Sequence, residues 1–134
     1  MNVFFIRWVP SIVWMAVIYY LSDQPGEKLG SFLPLVQKLF PGIQDFDWGH
    51  FAAYFILACT YYWGLQAYGN GFWIKAAVVV LCVLYGVSDE FHQQFVDGRH
   101  PDLKDLRNDT IGAILAMLFV SIPPVRRFIA KLAS

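Results

Sequence analysis

Four apolar stretches, each close to the length of a bilayer crossing, divide this sequence and restrict the folds open to it. They cover residues 3–21, 48–66, 72–88 and 110–125. The interruptions are few: Arg7 and Pro10 in the first, Lys75 in the third, and Pro123-Pro124 at the end of the fourth. A perpendicular helix needs about 20 residues to cross, with about 17 to 25 usual. The last two stretches sit at or below that limit, so they are expected to continue as helix into the polar residues beside them. A soluble all-α bundle would need a polar face on each helix, and these stretches have almost none. Composition agrees. Apolar residues make up 57% of the 134 and charged residues 15%, where a soluble domain carries about 25% charged. Mean hydropathy is +0.48.

The length suits one domain, residues 1–134. Arg7 before an apolar run resembles a signal peptide. The run lacks a small-x-small cleavage site, however, and ends Tyr19-Tyr20-Leu21-Ser22-Asp23, so an uncleaved first helix is expected. The formal net charge of zero argues against a nucleic-acid partner, which calls for a basic face. Cys59 and Cys82 lie inside apolar runs and read as small buried hydrophobes, not as zinc ligands or a disulfide.

The connections shape the expected topology. Tyr68-Gly69-Asn70-Gly71 is a tight turn, which makes the second and third stretches an antiparallel hairpin. The first connection carries Pro25-Gly26, Pro34 and Pro41-Gly42. Between those breakers Leu29, Phe32, Leu33, Val36, Leu39 and Phe40 recur at helical spacing, so residues 29–40 fit a short amphipathic interfacial helix. The expected fold is an all-α integral membrane protein: an antiparallel bundle of four transmembrane helices with that short helix in the first connection. Arg7, Lys75, Arg126, Arg127 and Lys131 then lie on the side of the termini; Lys28, Lys38, Arg99, Lys104 and Arg107 lie on the other. The basic count is a tie, but all ten acids fall on the second side. That asymmetry favours termini on the cytoplasmic side.

Polar residues then converge. Ser22, Asp23 and Gln24 end the first helix. Asp47 and His50 begin the second. Asp89, Glu90, His92, Gln93 and Gln94 end the third, and Asp105 and Asp109 begin the fourth. Ionisable groups near membrane depth are expensive and usually line a cavity or site. His50 and Tyr54 share a helix face at i,i+4; Asp89 shares one with His92 and Gln93; Glu90 points about 100° away. Gly112, in line with Asp105 and Asp109, would let another helix approach closely. Simpler roles compete for individual residues. Asp109 could cap a helix, Arg99 could pair in solvent with Asp97 or Asp102, and His50 could bond a backbone carbonyl. The run Asp89 to Gln94 has five strongly polar residues of six and is harder to assign a passive role.

Gly86-Val87-Ser88-Asp89-Glu90-Phe91-His92-Gln93-Gln94-Phe95-Val96-Asp97-Gly98-Arg99 and Asp105-Leu106-Arg107-Asn108-Asp109-Thr110-Ile111-Gly112 resemble the VanZ-like family of small bacterial membrane proteins. The family pattern is DE-x-x-Q-x-F-x-P-G-R followed by D-x-x-x-N/D-x-x-G. Ser22-Asp23-Gln24-Pro25 and His50-Phe51-Ala52-Ala53-Tyr54 match more weakly. Asp97 replaces a frequent Pro, Trp48 a frequent Lys, and Asp109 a frequent Asn. The resemblance implies a membrane setting and a cell-envelope context, the family being named for a protein linked to teicoplanin (glycopeptide) resistance; it implies no reaction.

Three functional classes remain open from sequence. One is binding of a membrane lipid or lipid-linked cell-wall intermediate, with Arg99 on an anionic group and Gln93, His50, Tyr54, Asp105 and Asp109 around it. Another is a membrane-embedded hydrolase or transferase. There Glu90, Asp89 and His92 are the catalytic candidates, and Asp89, His92 and His50 are ligands for a divalent metal. Carboxylates suit Mg²⁺ or Mn²⁺, and no GxSxG nucleophile signature is present. The third is a structural or transport subunit. The lack of charges deep in the stretches counts against an ion path through one copy.

Overall fold

The computed structural model describes residues 2–42 and 47–134; within that range nothing is said of the side chains of residues 26–29 and 47. The expected roles of Lys28, Leu29 and the Asp47 side chain therefore lie outside the described set. The described residues form six α-helices and no strand: α1 Val3–Ser22, α2 Gly26–Leu39, α3 Asp47–Leu65, α4 Phe72–Gln93, α5 Leu103–Ser121 and α6 Pro123–Ala133.

The sequence accounts for most of these boundaries. α4 runs past the apolar stretch through Gln93, and α5 starts well before its own at Leu103. Both therefore carry polar residues on their last or first turns, as their short apolar lengths required. Asp102 caps α5, its side chain accepting from the Lys104 N–H. Between α3 and α4 lies a single 3₁₀ turn, Gln66–Tyr68, closed by Gly69 at φ 139°, a value that favours glycine.

One element differs from expectation. Pro123-Pro124 was read as the end of the last helix, yet it opens another. Ile122 is extended, and Pro123 and Pro124 take the first positions of α6, where a missing N–H is no loss. The axis turns by 85° between α5 and α6. The expected helix in the first connection is present as α2, which begins before residue 29 and continues through Pro34. Its Phe32, Leu35 and Leu39 are exposed.

α3 is the central helix, packed against α1, α4 and most extensively α5. It contributes Tyr54, Leu57, Ala58, Tyr61 and Tyr62 to the core; α5 adds Ala113, Ala116, Met117 and Val120, and α4 adds Val78 and Cys82. Both cysteines are free. Small residues on α5 let α3 come close: a Cβ on Gly112 would lie 2.6 Å from the Phe51 carbonyl oxygen. Side-chain donors fasten α1 from two sides. Trp14 Nε1 donates to the Ala53 carbonyl at 2.8 Å, and the Tyr85 hydroxyl donates to the Met15 carbonyl at 2.6 Å.

Outside this narrow core the surface is apolar, with Phe5, Ile12, Val80, Leu84 and Leu118 all exposed. A surface of that kind suits lipid, not water. α1 and α4 are each long and apolar enough to cross a membrane, and α5 with α6 makes a third candidate if the bent pair is one span.

Candidate functional site

The C-terminal ends of α1 and α4 and the N-terminal ends of α3 and α5 meet at one end of the bundle. The contacts that establish this are between side chains. His92 near the end of α4 lies 3.1 Å from Asp23, just beyond α1, and stacks on Tyr19 with ring centroids 4.6 Å apart. His50 near the start of α3 reaches Asp109 on α5 at 2.8 Å through Nδ1, and its Nε2 lies 3.7 Å from Asp105.

The last turns of α4 face two ways. Asp89 and Gln93 point inward between α1 and α3. The Tyr54 hydroxyl donates to Asp89 at 3.4 Å, and Ser22 sits against the same carboxylate. Glu90, about 100° further round the helix, faces α5 and its entry. Its Oε2 accepts the Asp102 backbone N–H at 2.9 Å. One turn of helix therefore presents two carboxylates to two neighbourhoods.

His50, Glu90 and Asp109 form a compact group. One ligand atom from each lies within 4.8 Å of the others. Asp109 is fully buried, and Asp109 Oδ2 and Glu90 Oε1 have no hydrogen-bond partner among the described residues. Buried carboxylate oxygens left unpaired are costly, and one imidazole with two carboxylates is a donor set that could hold a divalent cation. Asp89 and His92, expected as metal ligands with His50, are not in this group: Asp89 bonds Tyr54, and His92 turns to Asp23 and Tyr19.

Beside the trio is a cavity of about 180 Å³ lined by Ile18, Leu21, Ala53, His50, Asp89, Gln93 and Arg99, among others. One wall is apolar and the other carries charge and amide. Gln93 is 1% exposed, and its Nε2 has no partner among the described residues. Arg99 pairs with neither Asp97 nor Asp102 among the described residues; it donates to the Gln24 carbonyl at 3.3 Å. Local backbone puts it there. Arg99 N bonds the Val96 carbonyl, and Gly98 has φ 72°, so Val96 to Arg99 is a turn with glycine at its third position. Asp97 takes the second position, where a proline would preset φ.

The other expected roles also resolve. Asp109 lies two turns inside α5 and is not its cap, and His50 bonds carboxylates instead of a carbonyl. Gly86 was given no role from sequence, yet a Cβ there would lie 3.0 Å from Asp109 Oδ2. A glycine one turn before Asp89 was the available signal. Ile18 and Leu21 were also given no role in the site; nothing local marks them, because they enter through the packing of α1.

Comparison with known proteins gives one result. The family model described as VanZ/LLP1 matches residues 5–123, nearly the whole chain. No curated protein and no solved structure matches.

Proposed function

The chain belongs to the VanZ-like family, and from that premise we propose that α1, α3, α4 and α5 all span the bilayer and that their shared polar end binds the anionic headgroup of a lipid-linked cell-envelope ligand. The location follows from the charge asymmetry: cytoplasmic termini in a bacterial inner membrane, with the polar end at the outer face. α3 and α5, at 19 residues each, extend about 28 Å, close to the hydrocarbon thickness. Their low hydropathy has local causes. Tyr54, Tyr61 and Tyr62 of α3 turn into the bundle, and the charges of α5 sit in its first two turns. α2, amphipathic and little packed, suits the interface beside the site.

The observation that carries the binding reading is the two-sided cavity. Ile18, Leu21 and Ala53 offer an apolar wall, and Gln93 and Arg99 offer donors. A headgroup oxygen would satisfy the Gln93 amide, and the planar Arg99 guanidinium suits a phosphate or carboxylate. Arg99→Ala should weaken binding of a polyprenyl phosphate in nanodiscs about tenfold or more, the size of a lost charge-assisted hydrogen bond. Unchanged affinity would remove Arg99 from the site.

A second reading, a metal-dependent hydrolase or transferase, draws on the His50–Glu90–Asp109 trio. Asp89, Glu90, Asp105 and Asp109 outnumber the nearby cationic groups, and a divalent cation would offset them. Under this reading Glu90→Gln, which keeps shape and removes charge, abolishes Mn²⁺ binding measured by metal mass spectrometry and electron paramagnetic resonance. A folded, lipid-retaining preparation that takes up no Mn²⁺ would leave headgroup binding alone.

A further inference from the structure

At the opposite end of the bundle is a second cavity, about 410 Å³, that the site above does not use. Arg7 of α1, Tyr62 of α3, Gln66 of the 3₁₀ turn, Asn70 of the hairpin turn, and Arg126 of α6 line it, with Ala130 and Ala133 of α6 beside them. Each of these five side chains can donate a hydrogen bond, the two arginines donating only, and Ser134 also lines the cavity. No Asp or Glu lines the cavity, and neither arginine has a carboxylate partner among the described residues; Arg7 donates to the Ala133 carbonyl at 3.2 Å. Tyr62 is 2% exposed, and its hydroxyl bonds no described residue.

α6 explains why the cavity sits at a membrane surface. The 85° bend lays it across the end of the bundle. Arg126, Ala130 and Ala133 fall at i, i+4 and i+7 and face the cavity. Phe128 and Leu132, at i,i+4, are exposed on another side, while Ile129 packs on the core and Arg127 and Lys131 form a third stripe. An exposed apolar flank beside a basic stripe is the pattern of a helix lying in the headgroup layer.

We infer that this cavity is a binding site for the phosphate of an anionic phospholipid, held by Arg7 and Arg126 with Tyr62 donating, while Phe128 and Leu132 seat in the acyl region. Two guanidinium groups from opposite ends of the chain would thus be joined through one ligand, which pins α6 to α1. The inference is independent of the function proposed above, because the two cavities share no residue.

The test uses native mass spectrometry of the full-length protein in detergent. Short-chain phosphatidylglycerol should remain bound to unmodified protein in preference to phosphatidylcholine, and millimolar inorganic phosphate should not displace it. Arg7→Gln with Arg126→Gln should reduce phosphatidylglycerol binding about tenfold or more, and Tyr62→Phe should reduce it severalfold. Arg127→Gln, outside the cavity, should leave it nearly unchanged. Equal retention of the two lipids by unmodified protein would overturn the inference without any variant having to fold. Displacement by inorganic phosphate would overturn the lipid assignment in favour of free phosphate.

Discussion

His50→Ala is expected to destabilise the protein by about 3–5 kcal/mol, the cost of leaving a buried charge without its partner. The partner is Asp109, which is fully buried and whose other oxygen has no partner among the described residues. The reverse change should cost less. Without Asp109 the histidine still has Asp105 at 3.7 Å, and its side chain is 17% exposed. The double substitution His50→Ala with Asp109→Ala should cost less than the sum of the two, because each single change carries the penalty of the group left behind. Thermal unfolding in detergent measures all three. Strictly additive losses would show that the pair is not coupled.

Asp109→Asn separates stability from ligand binding. It keeps the shape and can still bond His50. The fold should hold close to its normal stability, while a cation bound at His50–Glu90–Asp109 would lose a charged ligand. If Asp109→Asn unfolds the protein as readily as His50→Ala does, the charge itself is structural.

The sequence made the polar end of the bundle legible, for a simple reason. Topology forces alternate helix ends to one face, so polar residues at Ser22, His50, Asp89 and Asp109 had to meet there. Which of them touch was not legible. Periodicity relates residues along one helix, and it paired Asp89 with His92. The trio instead draws one residue each from α3, α4 and α5, a relation fixed by helix rotation and closeness. Glu90 shows the gap well: its 100° offset from Asp89 was readable, but not what stood opposite. α6 was missed for another reason. Two prolines read as a stop, whereas proline at a first helical position reads equally as a start. The i,i+3,i+4,i+7 spacing of Val125, Phe128, Ile129 and Leu132 was the signal that should have decided between them.

Helix rotation and closeness are what Gly112 controls, and its substitution is the second large effect. In Gly112→Ala the new methyl would sit 2.6 Å from the Phe51 carbonyl oxygen, well inside contact distance. That obstacle is backbone, so no rotamer change relieves it, and α3 and α5 must separate. Overpacking of this kind costs about 1–3 kcal/mol, and Gly112→Val should cost more. Gly49→Ala is the control. It lies on α3, the helix that carries Phe51, has no described atom within 4 Å of the new Cβ, and should gain up to about 1 kcal/mol from helix propensity. The consequence reaches the site, because Phe51 adjoins His50 in sequence. Separating α3 from α5 at Phe51 lengthens the 2.8 Å contact between His50 and Asp109. Gly112→Ala should therefore lose stability and weaken Mn²⁺ or headgroup binding together, although Gly112 touches neither. Equal melting temperatures for Gly112→Ala and Gly49→Ala would mean that α3 and α5 are not in close contact at this point. A stability loss with binding intact would mean that the helices separate without moving His50 from Asp109.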